Sequence, residues 1–276
     1  MMAKSFLSIL PDIKLEEAME VSKVYSLAGL LSEDNYLIDY RVLRSPHHSA
    51  SVSAIVGGGS WPKPGEISLA HNNVLFLDEI LEFPRPVLEA LRQPLEDKVI
   101  TVSRVKGSFD FPANFILLAT ANPCPCGYFS DELKECKCSS IDIRRYQKRI
   151  SGPVLDRIDL HLSVKRVKSQ DLDNVDSSES SEAFKQRVSL ARYRQAERQA
   201  NLNSDIDFRT LRKYCVLTES GQKILRQATD NLQLSARAHF KVLKVARTIA
   251  DLANDSNIRD EYVLEALQYR NRIFVE

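Results

Sequence analysis

Two short apolar runs, each followed by polar side chains, constrain the fold of this chain more than any other feature. They lie in His71–Glu79 (HNNVLFLDE) and in Asn114–Pro123 (NFILLATANP). Their length and flanking residues are typical of strands buried on both faces of a parallel sheet. Helix-like segments alternate with them in the first half of the chain, and this alternation predicts an α/β sheet.

Three further segments of the first half have clear local patterns. Leu15–Gly29 is predicted to be a helix that ends at its glycine. Pro84–Asp97 is predicted to be a helix disturbed at Pro94, because proline cannot donate the helical hydrogen bond. Lys98–Phe111 is rich in β-forming residues with Lys106-Gly107 near its middle, and this pattern predicts a hairpin.

The composition changes after Val167. Residues 169–182 are acidic, rich in serine and almost free of large apolar side chains, which indicates a linker. The segments with a helical pattern beyond it are Ala183–Ala200, Phe208–Val216, Glu219–Leu232, Ala236–Ala253 and Asp260–Asn271. We therefore divide the chain into an α/β core at residues 1–167, a linker at 168–182 and an α-helical domain at 183–276.

Composition places the chain among ordinary globular proteins, with 43% hydrophobic and 27% charged residues. The net charge of +1 gives no global basic field, so any contact with nucleic acid must come from local patches. No apolar run is long enough to span a bilayer, and the first residues lack the pattern of a signal peptide. We therefore expect a cytoplasmic protein that has no membrane partner.

Asp78 and Glu79 directly follow the first buried run. Side chains alternate along a strand, so the chain must turn just past Leu77 for both carboxylates to face one site. In nucleotide hydrolysis Asp78 would hold Mg²⁺ through its water shell, and Glu79 would polarise the attacking water. The alternative is a strand that ends in two solvated acids.

Asn122 ends the second buried run, where its amide could orient the water or contact the γ-phosphate. An ordinary Asn-Pro turn is the alternative for this residue. Arg157 lies between two acids in SGPVLDRIDLHL and could reach the phosphate of a neighbouring subunit. An ion pair with Asp156 or Asp159 is the alternative for this arginine.

Arg237 lies in the first turn of a predicted helix for which Ser235 is a suitable N-cap. A cation near the N-terminal end of a helix interacts unfavourably with the helix dipole. Because this position costs stability, it favours a functional role for Arg237. A nucleotide phosphate is a natural partner at a helix start.

Four of the five cysteines form a C-x-C…C-x-C pattern, Cys124, Cys126, Cys136 and Cys138. Four soft ligands in one loop suit tetrahedral Zn²⁺, although the spacing is tighter than in most zinc sites. Without a secretory signal, disulfides are disfavoured. Zinc binding and four reduced thiols are the two alternatives.

Together these motifs resemble those of a known family. The strings RSPHHSAS, PGEISLAHNNVLFLDEI, ATANPCPCGY, RISGPVLDRIDLHL, LSARAHFKVLKVARTIADL and EALQYR occur in the order of the Mg-chelatase-like branch of AAA+ ATPases. The chain most closely resembles the YifB/ComM competence-protein subfamily of this branch, over nearly its whole length. The resemblance implies an AAA+ P-loop-type core with a parallel sheet, incomplete at its N-terminus, followed by an all-α C-terminal lid.

The resemblance also implies roles and cofactors. Asp78 and Glu79 correspond to the Walker B acids, Asn122 to sensor 1, Arg157 to the arginine finger and Arg237 to sensor 2. ATP and Mg²⁺ are the implied cofactors, with Asp78, Asn122 and Arg237 contacting the bound nucleotide or its metal.

Ring assembly and DNA are further implications of the resemblance. In hexamers of related helicases, the elements corresponding to Lys98–Phe111 and Ser51–Leu69 point into a central pore. Arg104 and Lys106, near the predicted hairpin turn, would then contact DNA phosphates. The intact protein is expected to be a homo-oligomeric, ATP-driven motor of the helicase or branch-migration type.

One departure from the family pattern concerns the phosphate-binding loop. The family carries G-x-x-x-x-G-K-[ST] just before the helix that contains Met2-Ala3-Lys4, and this chain begins past that point. The run Gly57-Gly58-Gly59 has no following Lys-Ser/Thr, so we expect a flexible loop there. We expect these 276 residues to bind nucleotide poorly. The alternatives to a DNA motor are a metal-chelatase motor subunit and a non-catalytic binding module.

Overall fold

The chain folds into two units, the first ending at Leu155 and the second beginning at Asp156. The computed structural model describes residues 2–32, 36–59, 61–104, 107–131, 133–164 and 179–270, without the side chains of residues 2–4 and 104. Most of the predicted linker at 168–182 lies outside the described residues.

The first unit mixes short helices and strands. Its α-helices are Met2–Ser8 (α1), Leu15–Ala28 (α2), Val52–Val56 (α3), Glu66–Leu69 (α4), Arg85–Ala90 (α5), Arg92–Asp97 (α6), Ser140–Gln147 (α7) and Gly152–Leu155 (α8), with a 3₁₀ turn at Ile80–Glu82. Its strands are Leu43–Arg44 (β1), Gly57–Gly58 (β2), Lys63–Pro64 (β3), Val74–Leu77 (β4), Val99–Arg104 (β5), Gly107–Pro112 (β6) and Ile116–Ala119 (β7).

Three of these strands form the parallel sheet that the two apolar runs predict. The strand order is β1-β4-β7, with Val74 of β4 paired to Leu43 on one side and to Ile116 on the other. β4 is the central strand of the three, and Leu75 and Leu77 are fully buried. This burial explains why β4 is a continuous apolar run rather than an alternating one. The α/β prediction for the first half is confirmed.

The predicted helices of this unit are present, with one difference in detail. α2 ends at Gly29, which adopts the left-handed conformation with φ 73°. The segment after Pro84 is broken at Leu91 into α5 and α6, whereas we expected the disturbance at Pro94 itself. A proline ring clashes with the carbonyl four residues earlier, which here belongs to Ala90. The break therefore comes where α5 ends, and Pro94 fits within the first turn of α6.

The predicted hairpin at 98–111 is confirmed by the antiparallel pairing of β5 and β6. The register runs from Val99 opposite Pro112 to Arg104 opposite Gly107. Lys106 lies outside the described residues, and of Arg104 only the backbone is described.

The expectation of a flexible loop at the triple glycine is wrong. Gly57 and Gly58 form β2, which pairs antiparallel with β3 in a second small hairpin. A Cβ atom on Gly57 would lie 2.6 Å from the carbonyl oxygen of Lys63, and the φ of Gly57 is +104°. Glycine is therefore required here by close backbone approach as well as by conformation.

Residues 179–270 of the second unit form helices joined by turns and irregular segments, and their β-structure is limited to one isolated bridge between Leu217 and Ile258. Its helices are Ser181–Gln199 (α9), Phe208–Tyr214 (α10), Glu219–Asn231 (α11), Ala236–Leu252 (α12) and Asp260–Gln268 (α13), with a 3₁₀ turn at Asn203–Asp205. Each matches a predicted helical segment to within a few residues. In the described residues of both units, no helix is long and apolar enough to cross a membrane.

The core of the second unit combines apolar packing with one buried charge cluster. Val242, Ala246 and Ala250 project from α12 into a cluster of buried apolar side chains. On the same helix, Asp251 is buried and pairs with Arg247 at 3.1 Å and with Arg198 of α9 at 2.6 Å. A buried carboxylate needs such partners, so this cluster ties α9 to α12.

Candidate functional site

The polar ends of β4 and β7 meet at one edge of the parallel sheet. Leu77 is the last residue of β4 and pairs with Ala119, the last residue of β7. Asp78 and Glu79 therefore emerge beside Thr120, and all three are exposed. The carboxyl ends of neighbouring parallel strands form the usual ligand-binding edge of an α/β sheet.

Thr120 links the two acids from the neighbouring strand. Its hydroxyl donates to Asp78 Oδ1 at 2.5 Å and accepts the backbone N–H of Glu79 at 2.9 Å. Backbone hydrogen bonds continue past the strands, from Thr120 N to Leu77 O at 3.1 Å and from Ile80 N to Thr120 O at 2.8 Å. Thr120, the first residue after β7, thus fixes the carboxylate of Asp78 and the backbone of Glu79.

The chain turns sharply at Glu79, as expected just past Leu77. Glu79 has φ 52° and ψ 52°, a left-handed conformation that costs a non-glycine residue on the order of 1 kcal/mol. In this conformation Glu79 Oε1 lies 3.5 Å from Asn122 Nδ2, which donates to it. The structure therefore brings Asp78, Glu79 and Asn122 together at one exposed edge.

The 3₁₀ turn that follows Glu79 carries a further acid, Glu82. Arg149 donates to the Glu82 carboxylate at 3.0 Å and to the Glu82 carbonyl at 3.3 Å. Burial raises the pKa of Tyr146 to about 12, with additional contributions from the carboxylates of Glu82 and Glu79.

The donor set at this edge fits a magnesium ion held through water. Asp78 and Glu79 are carboxylates and Asn122 offers an amide oxygen, and hard oxygen ligands of this kind suit Mg²⁺. Mg²⁺ keeps most of its waters and takes only one or two protein carboxylates, so an exposed pair is sufficient.

The four clustered cysteines lie in the loop that follows Asn122. Their sulfur atoms all lie within 4.8 Å of one another, and Cys124 is buried. The Sγ separations are 3.3 Å for Cys124 and Cys126, and 3.6 Å from Cys136 to each of these two. Tetrahedral Zn²⁺ with bonds of about 2.3 Å places sulfurs roughly 3.8 Å apart, so the donor set and its spacing fit zinc. Cys215 is not a member of this group and is buried in the core of the second unit.

One thiol of the cluster has a lowered pKa. The backbone N–H of Tyr128 is the main cause that lowers the pKa of Cys126 to about 6. The buried Cys124 sulfur accepts the backbone N–H of Phe129 at 3.3 Å. Backbone donors around sulfur are the usual second layer of a thiolate metal site.

The two predicted arginines, Arg157 and Arg237, lie in the second unit, and α12 contacts or carries both. Arg237 is exposed in the first turn of α12, which Ser235 caps by accepting the Ala238 N–H at 3.1 Å. One turn later, Lys241 donates to the carbonyl of Arg157 at 2.8 Å and to Asp159 Oδ1 at 2.5 Å. The N-terminal part of α12 therefore carries Arg237 and anchors the backbone of Arg157.

Thr120, Lys241 and Gln147 are the residues that the sequence interpretation did not single out. Gln147 of α7 is buried and donates to the carbonyl of Pro123 at 2.8 Å. Thr120 has a usable signal, since it is the first polar residue after the apolar side chains of the second run and lies two residues before Asn122. Lys241 and Gln147 have no local signal, because their partners lie 84 and 24 residues away in the sequence.

A parallel sheet with carboxylates and an amide at its carboxyl edge, followed by a helical region, fits the AAA+ class of proteins with a core and a helical lid. Residues 1–172 match the family model described as magnesium chelatase, subunit ChlI. Residues 178–270 match the model described as the C-terminal part of the same subunit.

Individual relatives resolve the subfamily. The chain is 42% identical over 272 residues to competence protein ComM of Haemophilus influenzae, and 43% identical over 271 residues to YifB of Escherichia coli. It is 42% identical over 271 residues to YifB of Salmonella typhimurium. The chain therefore belongs to the magnesium chelatase subunit ChlI family and, within it, to the YifB/ComM subfamily. Each alignment covers 98% of this chain and 53% of the relative, so the chain spans about half the length of the curated relatives it matches.

Proposed function

We propose that this chain is the ATPase module of a ring-forming, Mg·ATP-driven motor that acts on DNA. The observation that carries the proposal is the exposed edge where Thr120 holds Asp78 and Glu79 beside Asn122. Family membership supports nucleotide and Mg²⁺ use.

Each residue of this edge has a separate task in the proposed hydrolysis. Asp78 presents a carboxylate, already oriented by Thr120, to the water shell of the metal. Glu79 accepts a hydrogen bond from the attacking water and polarises it. Asn122 orients that water or contacts the γ-phosphate through its amide. Bound Mg²⁺ would neutralise charge on the phosphate oxygens.

The two arginines of the second unit have separate proposed roles toward nucleotide. Arg157 acts as the arginine finger toward a neighbouring subunit, and Arg237 contacts the phosphates as sensor 2. The anchoring of Arg157 O and Asp159 by Lys241 supports a shared task, because a movement of α12 would move both arginines. A finger supplied between subunits requires an oligomer, and a hexameric ring is part of the proposal.

DNA is the proposed substrate of the motor, in the manner of a helicase or branch-migration enzyme. The antiparallel pairing of β5 and β6 supports a hairpin, and in the sequence Lys106 lies between these two strands, two residues after Arg104. Cations at such a tip contact phosphates without reading bases. A role in competence, the process in the name of the Haemophilus influenzae relative, and a cytoplasmic location complete this proposal.

We also propose that the four clustered cysteines hold one Zn²⁺ ion. The four soft sulfur donors within 4.8 Å support it, since tetrahedral sulfur sites are typical of structural zinc. The ion, when bound, would cross-link two parts of the loop between β7 and α7.

The decisive experiment measures ATP hydrolysis by a longer protein. In this protein, which we call the loop-extended protein, the 276 residues are preceded by a segment that carries a G-x-x-x-x-G-K-[ST] loop. We expect its ATP hydrolysis to increase on addition of DNA. Stimulation by a metal-chelatase partner and not by DNA would favour the metal-chelatase motor subunit. Absence of hydrolysis under both conditions, with binding to an intact subunit, would favour the non-catalytic module.

A further inference from the structure

The cysteine cluster and the acidic edge are joined by a very short piece of chain. Asn122, whose amide donates to Glu79, is separated from Cys124 by Pro123 alone. Cys124 is fully buried, whereas Asn122 is exposed. The position of the exposed amide therefore depends on how firmly the buried sulfur next to it is held.

Two anchors hold this short segment. Gln147 of α7 donates to the carbonyl of Pro123 at 2.8 Å and is itself buried. The sulfur of Cys124 lies 3.6 Å from the sulfur of Cys136, twelve residues further along the loop. Soon after Cys136, Ser139 caps the start of α7 by accepting the N–H of Asp142. The loop thus closes back on the segment that carries Asn122.

We propose that the metal at the cysteine cluster serves to position Asn122 against Glu79, a proposal that rests on the zinc site proposed above. Thiol groups are weak donors and weak acceptors, so without metal the four sulfurs hold one another poorly. Four metal–sulfur bonds fix the same atoms firmly and close the loop between Cys124 and Cys138. Metal binding therefore orders the segment after β7, and with it the sensor amide. The four cysteines are positioning residues, because they act on the reaction through Asn122.

Loss of the metal is expected to change the local order around Asn122 and to leave the overall fold intact. Thr120, two residues before Asn122, is held by backbone hydrogen bonds to Leu77 and Ile80 that do not involve the cluster. Metal loss should leave these bonds in place and loosen the segment from Asn122 onward, where the Gln147 bond to the carbonyl of Pro123 is then the one that remains of the two anchors. The acids Asp78 and Glu79 should therefore stay in position while the amide that faces Glu79 loses its place.

Nuclear magnetic resonance of the side-chain amide of Asn122 tests this inference on the 276-residue chain. The protein is labelled with ¹⁵N on asparagine, and the signal of Asn122 is assigned by its loss in Asn122→Asp. Spectra are recorded with Zn²⁺ bound, after removal by a chelator, and after Zn²⁺ is restored, each with and without Glu79→Gln. The side-chain amide of Asn203, which donates to Asp251 at 2.8 Å in the second unit, is the internal control.

In the zinc-bound protein, Glu79→Gln should shift the Asn122 signal. In the zinc-free protein, the Asn122 signal should move and should no longer respond to Glu79→Gln, while the Asn203 signal stays unchanged. An Asn122 signal that keeps its position and its response to Glu79→Gln without zinc would overturn the inference and leave the zinc site standing. If the Asn203 signal shifts as well, the inference is overturned, and the metal has a structural role for the whole protein. A purified protein that binds no zinc at all would contradict the zinc site itself.

Discussion

The hydroxyl of Thr120 lies 2.5 Å from Asp78 Oδ1 and 2.9 Å from the backbone nitrogen of Glu79. A threonine hydroxyl has one proton to donate and lone pairs to accept with, so it donates to the carboxylate and accepts from the amide. Both acids of the candidate site are therefore oriented by a single side chain on the neighbouring strand.

Removing this hydroxyl should impair catalysis more than folding. In the loop-extended protein, Thr120→Val should lower ATP turnover by about 10-fold to 100-fold, because a hydrogen bond to a charged group contributes about 1.5–3 kcal/mol. Thr120→Ser, which keeps the hydroxyl, should stay within a few-fold of the wild type. Steady-state kinetics check both variants, and a fully active Thr120→Val would contradict the assigned role of the bridge.

The left-handed conformation of Glu79 predicts a gain in stability when its side chain is removed. Glu79→Gly should raise the free energy of unfolding by up to about 1 kcal/mol, because glycine adopts φ 52° without the Cβ clash. Lys23→Gly, in the middle of α2, is the matched control and should lower it by about 1 kcal/mol. Urea unfolding of the 276-residue chain gives both values, and a destabilised Glu79→Gly variant would show that the turn is not strained.

Zinc should accompany the purified chain. Elemental analysis should find about one zinc per chain, because the four sulfurs form one tetrahedral set. Cys136→Ser should remove most of the metal, whereas Cys215→Ala should leave the metal content unchanged because Cys215 is buried in the other unit. A metal-free wild type that is as stable as the zinc-supplemented protein would decide for four reduced thiols.

DNA binding should depend on the tip of the β5–β6 hairpin. In the loop-extended protein, Arg104→Ala combined with Lys106→Ala should weaken DNA affinity and reduce its salt dependence, because fewer phosphates are neutralised. In a ring each subunit would contribute the same contacts, so the loss of DNA affinity should be larger for the ring than for a single subunit. Titrations with DNA at several salt concentrations measure the slope. Unchanged affinity and slope would mean that another element contacts the DNA.

The parts of the fold that follow from local patterns were predictable from the sequence. β4 is a continuous apolar run because it is the central strand of the sheet, and α2 ends at a glycine that takes up a left-handed φ. The sequence prediction puts the disturbance at Pro94, three residues after the break at Leu91. The proline ring clashes with the carbonyl of Ala90, four residues earlier, so the helix breaks before the proline.

The parts of the site that depend on distant contacts were not predictable from local patterns. Thr120 lies 42 residues from Asp78, and no periodicity indicates which residue of a neighbouring strand will face an acid. The cysteine spacing left zinc and free thiols open, and only the distances between sulfurs in space show that all four converge. The triple glycine was misinterpreted because its constraint comes from the opposing strand, at Lys63.

The most direct test of the proposed function is ATP hydrolysis by the loop-extended protein and its Glu79→Gln variant. With Mg²⁺ and DNA present, the wild type should turn over on the order of 1 s⁻¹ or faster, within the usual range of enzymes. Glu79→Gln should hydrolyse ATP at least about 100-fold more slowly and still bind it, because the amide cannot polarise the attacking water while Asp78 remains. Equal turnover in the two proteins would contradict the assignment of this edge as the ATPase site.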